Sequence, residues 1–433
     1  METIFAPASG FGRAAVAVVR ISGPQAGAAL ERLSHAPPPP PRRLSLRILR
    51  DPQSGTPLDR ALVVWLPGPG TFTGEDVVEL HLHGGVAVRA AVLGALGRLP
   101  GLAPAAPGAF TRRAFLNGRM DLTAVEGLAD LIDAETEAQR RQAMRQLDGA
   151  LGRRVEAWRT SLLDALAATE AALDFSDEGD VDADALPQAS LAVVVRVRDE
   201  IRAGLADGRR GERLRDGYTV VLAGPPNAGK STLLNALARR DAAIVSAIPG
   251  TTRDAIEVRC DLGGLPVVLV DTAGLRESSD VIEAEGIART RRRMESADLV
   301  LWLAGPGDSV ERPHPQTLVL RTKADLVPET SGMDLAISAL TGAGLDRLLD
   351  ALQGAAANAL GEGDALVTRE RQRLALERCV EHLDRAAAGA ATLPPELVAE
   401  DLRLAVRALG EVAGRVGVEE MLDRLFASFC IGK

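Results

Sequence analysis

Residues 216–357 of this 433-residue chain alternate strand-like and helix-like runs, and they interrupt a helical pattern that lies on either side of them. Strands are expected at Tyr218 to Ala223, Ala255 to Leu262, Leu265 to Asp271, Leu299 to Ala304 and Thr317 to Thr322, with helices over 230–240, 283–296 and 344–355. That alternation is the mark of a doubly wound parallel sheet with helices on both faces. Upstream, Leu122, Val125, Leu128 and Ile132 recur at helical spacing, and long Ala/Leu/Arg/Glu stretches continue to about Arg213. Asp174 to Pro187 is an acidic, turn-like break before the pattern resumes over Ala189 to Ala206. Residues 366–433 read the same way, with Pro394-Pro395 as the interruption. The order implies one helical domain into which an α/β domain has been inserted.

The first 119 residues are of a third kind. Ala14 to Ser22, Leu44 to Leu49, Ala61 to Trp65 and Val77 to His83 are β-branched or alternating runs, Pro37 to Pro41 is a loop, and residues 84–98 suit one helix. This is the pattern of a small α+β domain. The expected boundaries are therefore 1–119, 120–213, 216–357 and 364–433, the second and fourth being two parts of one helical domain.

No apolar run approaches a membrane span, and Met1-Glu2-Thr3-Ile4 lacks the basic and apolar regions of a signal peptide. Three scattered cysteines, Cys260, Cys379 and Cys430, give neither a disulfide framework nor zinc-ligand spacing. A cytoplasmic protein with no membrane partner is expected. A net charge of −9 argues against sequence-blind nucleic-acid binding by the whole molecule.

Only three lysines occur among fifty basic residues, and each lies in a motif: Lys230, Lys323 and Lys433. Where arginine serves for generic charge, a retained lysine marks a place that needs a compact, rotatable ammonium. Lys230 closes Gly224-Pro225-Pro226-Asn227-Ala228-Gly229-Lys230-Ser231, which follows a buried-type strand and precedes a helix. That is a phosphate-binding loop: backbone N–H groups and the helix N-terminus attract phosphates, Lys230 reaches the terminal ones, and Ser231 ligates Mg²⁺. Asp271-Thr272-Ala273-Gly274 ends a later strand, where the carboxylate suits the Mg²⁺ shell and the Gly274 N–H the γ-phosphate. Thr251-Thr252 lies between the two, as a switch threonine should. In Thr322-Lys323-Ala324-Asp325 the Asp325 carboxylate can accept two guanine N–H donors that adenine lacks, and Ser338-Ala339-Leu340 would cover the guanine oxygen. Thr322 stands where most GTPases have Asn, and Leu340 where Lys is common.

Leu275 follows Gly274, where many GTPases place a water-orienting glutamine. Asn227 and the segment Ser246 to Thr251 could instead offer oxygens to a monovalent cation whose charge stands in for an arginine finger. Glu283 reads equally as a water-positioning carboxylate or as a solvated helix residue.

Taken with Arg20-Ile21-Ser22-Gly23, Thr73-Gly74-Glu75-Asp76, the His83-Gly84-Gly85 turn, Arg113-Ala114-Phe115-Leu116-Asn117-Gly118 and the terminal Phe429-Cys430-Ile431-Gly432-Lys433, the chain resembles the tRNA modification GTPase MnmE (TrmE) family over nearly its whole length. The resemblance implies a tetrahydrofolate-binding-like N-terminal domain that also forms a homodimer, and a potassium-dependent GTPase. It implies a complex, a heterotetramer, with the flavoprotein MnmG, which carries FAD and uses NADH. Together the pair would add an aminomethyl or carboxymethylaminomethyl group to C5 of the wobble uridine of certain tRNAs. The one-carbon unit would come from a reduced folate, 5-formyl- or methylene-tetrahydrofolate.

Carried over residue by residue, the folate positions are Arg20, Glu79, Arg119 and Lys433, with Arg119 replacing the family's frequent Lys. Potassium falls to Asn227, Ser246, Ile248 and Thr251, and Mg²⁺ to Ser231 and Thr252. Glu283 takes the candidate catalytic glutamate position, beside Lys230 and Thr251. The GTP contacts implied are Asn227, Ala228, Gly229, Lys230, Ser231 and Thr232, then Ser246, Ala247, Ile248, Pro249, Gly250, Thr251 and Thr252. Asp271, Thr272, Ala273 and Gly274 follow, and the base pocket takes Thr322, Lys323, Ala324, Asp325, Ser338, Ala339 and Leu340.

Cys430 reads either as a nucleophile toward uridine C6 or as a small apolar filler. Arg140-Arg141, Arg153-Arg154, Arg209-Arg210 and Arg291-Arg292-Arg293 read as solvated helix faces more readily than as tRNA contacts. Aromatic residues make up only 3% of the chain, too few for base-stacking platforms. The competing reading is a ribosome-assembly or RNA-chaperone GTPase; the folate-like first domain and the terminal motif favour the enzyme.

Overall fold

The computed structural model describes residues 2–10, 12–174, 187–207, 209–240, 242–244, 257–271, 291–326, 333–361, 363, 365–416, 419–427, 429 and 432. They form two compact units: Met1–Ala129 with Leu147–Arg159 and Leu409–Lys433, and Asp130–Gln146 with Thr160–Ala408.

The first unit opens β1 (Thr3–Pro7), β2 (Val16–Ser22), α1 (Ala26–Ser34), β3 (Ser45–Arg50), β4 (Pro57–Leu66), β5 (Val77–His83), α2 (Val86–Gly97), β6 (Leu102–Pro104), α3 (Ala109–Leu116) and α4 (Leu122–Asp133). The strands make one sheet in the order β3-β4-β5-β2-β1-β6, antiparallel except where β6 joins β1. Side chains alternate across a strand, so Val19 and Ile21 of β2 and Val78, Leu80 and Leu82 of β5 share one face. There they pack with Leu30 and Leu33 of α1 and Val92 and Leu96 of α2. The same alternation turns Arg20, Glu79 and His81 to the opposite face. Register then sets Arg20 directly across from Glu79.

The strand-like runs read from this segment are strands, within a residue or two at most ends. The pattern reading missed β1, α1, β6 and α3. Each is short, and β1 is buried at four successive positions, so it carries no alternation to detect.

The second unit takes the last turn of α4 and α5 (Glu137–Leu147), and resumes along α6 (Ala150–Asp174), α7 (Gln188–Leu205) and α8 (Arg210–Asp216). It then enters β7 (Tyr218–Ala223), α9 (Lys230–Ala238), β8 (Ala243–Ile244), β9 (Glu257–Leu262), β10 (Leu265–Asp271), β11 (Leu299–Ala304), β12 (Thr317–Arg321), β13 (Leu335–Ala336) and α10 (Leu345–Leu360). Sheet order is β13-β12-β11-β7-β10-β9-β8; the pairs from β13 to β10 are parallel, and β9 is antiparallel to both neighbours. Val220, Leu222, Leu269 and Leu301 pack under Leu233, Leu234 and Leu237 of α9 and Leu348 and Leu352 of α10. Val221, Val268 and Val300 face Met294 and Ala297 on the other side. β7 thus lies mid-sheet, sealed on both faces, and the loop after it is held from behind.

Two more helices, α11 (Glu370–Gly389) and α12 (Pro395–Ala413), follow, with Pro394-Pro395 at the break, and α13 (Glu419–Ala427) leads to the C-terminus. α11 packs on α7, and Arg202 and Arg198 of α7 meet Asp384 at 2.5 and 3.5 Å. Among the described residues no helix is long and apolar enough to cross a membrane.

Candidate functional site

The loop between β7 and α9 takes its shape from a forced approach. Gly224 has φ +139, and a Cβ there would lie 2.2 Å from the Leu303 carbonyl oxygen of β11, so only glycine fits. Asn227 is left-handed at φ 62, a conformation that asparagine tolerates better than most residues. Gly229 caps α9, and Lys230 is its first residue. The Lys230 side chain folds back over the loop, its Nζ donating to the carbonyls of Gly224 at 2.7 Å and Pro225 at 2.8 Å. The ammonium therefore spans the mouth of a ring of backbone, at a helix N-terminus, where a phosphate is favoured.

Ser231 Oγ donates to Asp271 Oδ2 at 2.7 Å. Asp271 ends β10 and is fully buried. Neighbouring ligands of an octahedral Mg²⁺ with oxygens at about 2.0–2.1 Å lie about 2.9 Å apart. A hydroxyl and a carboxylate at this separation fit that ion, directly or with one water between.

At the other end of the site, Thr322 Oγ1 donates to the Ala228 carbonyl at 2.7 Å, both residues being buried. The Thr322-Lys323-Ala324-Asp325 strand end is thereby tied to the loop after β7, and threonine makes the tie with a single hydroxyl. Lys323 is left-handed at φ 57, and the Ala324 N–H bonds the Ile337 carbonyl at 3.1 Å, joining this turn to the next loop. That loop is wound on Ser338, whose Oγ accepts the Thr341 N–H at 3.2 Å. Asp325 and Leu340 are exposed at its rim. Ser246 to Thr252, Thr272 to Gly274 and Glu283 lie outside the described residues.

The first unit carries a second cluster. Arg20 Nε and Nη2 donate to Glu79 Oε1 at 3.0 and 2.8 Å, and His81 Nε2 lies 3.6 Å from Glu79 Oε2. The Arg20 guanidinium sits 5.8 Å from the Phe72 ring centre and 5.9 Å from that of Phe110. Neither phenylalanine was singled out from sequence. In a chain with eight phenylalanines, one inside Thr71-Phe72-Thr73-Gly74 was the available signal. Nearby, Ser22 Oγ pairs with Thr73 Oγ1 at 2.7 Å and donates to Glu75 Oε2 at 2.8 Å, while Arg113 Nη1 donates to the same carboxylate at 2.7 Å. Asn117 Nδ2 bonds the Thr73 carbonyl at 2.7 Å. The Arg-Ile-Ser-Gly, Thr-Gly-Glu-Asp and Arg-Ala-Phe-Leu-Asn-Gly motifs are thus parts of one polar network. Arg119 is exposed, and its stem runs beside Gly74.

The C-terminal tail returns to this unit. α13 packs on α3, Arg112 meets Asp423 at 3.1 Å, and Phe426 and Phe429 are buried with ring centres 6.0 Å apart. Gly432, at φ +100, is pressed so closely on β1 that a Cβ would lie 1.8 Å from the Pro7 carbonyl oxygen. Pro7 is across from Val19 of β2, next to Arg20. Lys433 and Cys430 lie outside the described residues.

Of the arginine runs, Arg140 and Arg141 meet Glu137 at 2.7 and 3.8 Å, Arg210 meets Asp207 at 3.2 Å, and Arg291 meets Glu295 at 3.9 Å. These are within-helix or near-neighbour pairs, the pattern of solvated faces.

Comparison with known proteins gives matches across nearly the whole chain. The family model described as GTP-binding protein TrmE N-terminus matches residues 3–119, and that of the MnmE helical domain matches residues 122–430. The tRNA modification GTPase MnmE of Methylobacterium sp. (strain 4-46) is 76% identical over 436 residues, covering 100% of both chains. That of Methylorubrum populi is 72% identical over all of this chain and 98% of its own, and that of Rhodospirillum rubrum 52% identical over 100% of both. With relatives this similar from end to end, the chain belongs to the tRNA modification GTPase MnmE family and is a GTP-hydrolysing enzyme of tRNA modification.

Proposed function

We propose that this GTPase is potassium-dependent and serves a folate-dependent modification of the wobble uridine, in which its first domain holds the one-carbon donor. The observation that carries the reading is the seating of the C-terminal tail on β1, beside the strand of Arg20. The Arg20–Glu79 pair offers a guanidinium and a carboxylate side by side, flanked by two aromatic rings. A reduced folate has a flat, amide-like pterin edge that such a carboxylate can accept donors from, and a glutamate tail that Arg119 and Lys433 would pair with. GTP would lie along Asn227 to Thr232, with its base against Thr322 to Asp325 and Ser338 to Leu340. Mg²⁺ would be held by Ser231 and Thr252, and potassium by Asn227, Ser246, Ile248 and Thr251. The ions would supply charge at the phosphates, Lys230 would orient the phosphates, and Glu283 would position the attacking water.

The chain would act as a homodimer with two copies of MnmG, whose FAD and NADH handle the redox steps, and with tRNA as substrate. The domain limits proposed are 1–119, 120–213, 216–357 and 364–433.

Two measurements test this. GTP turnover in K⁺ should exceed that in Na⁺ by at least about tenfold, since a finger-like charge is worth several orders of magnitude in rate. Equal rates remove the cation site. Separately, the full chain should bind 5-formyltetrahydrofolate, and Arg20→Ala or Glu79→Gln should weaken it without changing GTP affinity. Absence of binding at high micromolar ligand would favour the RNA-assembly reading.

A further inference from the structure

Helix α5 has a buried face that is largely polar, which asks for an explanation. Gln139, Gln142 and Gln146 are 7%, 8% and 2% exposed and recur at helical spacing beside Ala138 and Ala143. A helix facing a core is ordinarily apolar there, because a buried amide without partners is costly. Here each Nε2 donates to a backbone carbonyl: Gln139 to Arg215 at 3.0 Å, Gln142 to Gly211 at 3.0 Å and Gln146 to Leu366 at 2.7 Å. Arg215 and Gly211 belong to α8, which runs directly into β7 and the phosphate loop. Leu366 lies on the stretch that leaves the GTPase fold after α10. The incoming and outgoing segments also touch each other, since a Cβ on Gly211 would lie 2.1 Å from the Val367 carbonyl oxygen.

The N-terminal end of the same helix meets the GTPase fold itself. The Ala138 N–H, one of the free donors of a first helical turn, bonds the Gly264 carbonyl at 3.1 Å. Arg259 of β9 meets Glu135 at 3.3 Å. Gly263-Gly264 is the tip of the β9–β10 hairpin. In sequence β9 begins five residues after Thr252, and β10 ends on Asp271, next to Thr272-Ala273-Gly274. One antiparallel hairpin therefore joins in sequence the two stretches read above as answering to the γ-phosphate, and its tip rests on α5. Any slide of that hairpin along its length moves the Gly264 carbonyl against the helix.

We propose that Glu135 and Arg259 are positioning residues through which the nucleotide state is passed from the β9–β10 hairpin to α5, whose glutamine face relays it to both segments that carry the GTPase domain. Two further observations suit a seat with more than one setting. Gln142 Oε1 and Gln146 Oε1 are buried with no hydrogen-bond partner among the described residues, so each amide has an acceptor in reserve. The Glu135–Arg259 pair is partly exposed and so can part and re-form cheaply. The proposal rests on GTP hydrolysis and on the reading above that Thr252 and Thr272 to Gly274 answer to the γ-phosphate; it stands or falls apart from the folate and potassium readings.

The test is amide hydrogen exchange on the full chain with GDP and with a non-hydrolysable GTP analogue. The variants are Glu135→Arg, Arg259→Glu and the double reversal. In the wild type, residues 130–146 and 365–369 should exchange at different rates in the two states. Each single reversal should shrink that difference by about fivefold, the lower range of coupling energies between sites, while single-turnover hydrolysis and nucleotide affinity stay within about twofold. The double reversal should restore it. The proposal is overturned if the wild type shows no nucleotide-dependent difference there, if single reversals keep it, or if the double reversal fails to bring it back. Loss of GTP affinity in step with the exchange difference would likewise overturn it, by showing that the contact merely supports the site.

Discussion

Replacing Thr322 by valine isolates one bond on which the nucleotide site depends. The two side chains have nearly the same shape, so packing is kept and only the hydroxyl that donates to the Ala228 carbonyl at 2.7 Å is lost. Thr322 is 5% and Ala228 1% exposed, so water cannot easily take the place of the donor. Removing one partner from a buried bond of this kind costs about 1–3 kcal/mol. Part of that falls on the stability of the unit. The rest falls on binding, because in the proposed site GTP spans the two loops that the bond joins and would then have to fix their separation itself. If binding bears all of it, affinity drops by up to about a hundredfold, at 1.4 kcal/mol per factor of ten. Titration with a fluorescent GTP analogue should therefore show Thr322→Val weakened, by up to about a hundredfold. Thr322→Ser, which keeps the hydroxyl, should fall near the wild type. Discrimination against ATP should be unchanged, because Asp325 is untouched. A Thr322→Val protein that binds GTP as the wild type does would refute the idea that this hydroxyl sets the geometry between base and phosphates.

Further expectations can be checked with the same protein. Asp325→Asn should relax selection of GTP over ATP in a competition assay, and unchanged discrimination would mean the base lies elsewhere. Gly432→Ala should unseat the tail, since its Cβ meets a backbone oxygen at 1.8 Å and its φ is +100; folate affinity should fall at least about tenfold while GTP hydrolysis holds, because the strain and clash together exceed about 1–2 kcal/mol. Burial raises the Cys260 thiol to about 11 and the Cys379 thiol to about 12. At pH 8 that leaves about one thiolate in a thousand or fewer at each, so native protein should give a disulfide reagent no more than one fast thiol, and Cys430→Ser should give none.

The sequence was informative where a pattern is local and silent where it is made by distant packing. Tyr218 to Ala223, Leu265 to Asp271 and Leu299 to Ala304 are legible as strands because buried parallel strands are runs of Val and Leu. The loop motifs between them then fix which ends carry chemistry. In the first unit the alternation of Val78, Leu80 and Leu82 with Glu79 and His81 tells which face is core, and by itself it distinguishes Glu79 from no other surface carboxylate. Pairing with Arg20 arises only from the register of β2 on β5, strands separated by two others and by a helix in the chain. Phe110 reaches Arg20 through α3, an eight-residue helix with too few turns to announce itself by periodicity.

The glutamines of α5 carry the same point further. From composition alone, Glu137-Ala138-Gln139-Arg140-Arg141-Gln142 looks solvent-facing on every side. It is instead half buried, because its neighbours are backbone carbonyls rather than side chains, and a carbonyl needs a donor. An inserted domain obliges its host to hold two chain segments side by side, and the backbone of a linking segment has polar groups that regular secondary structure does not satisfy. A glutamine amide is long enough to reach them from a helix and neutral enough to be buried. Polar residues on a buried helix face, spaced as a hydrophobic stripe would be, are thus what the insertion itself calls for, and the same helix touches the segment that enters the GTPase domain, the segment that leaves it and, at the β9–β10 hairpin, the domain itself.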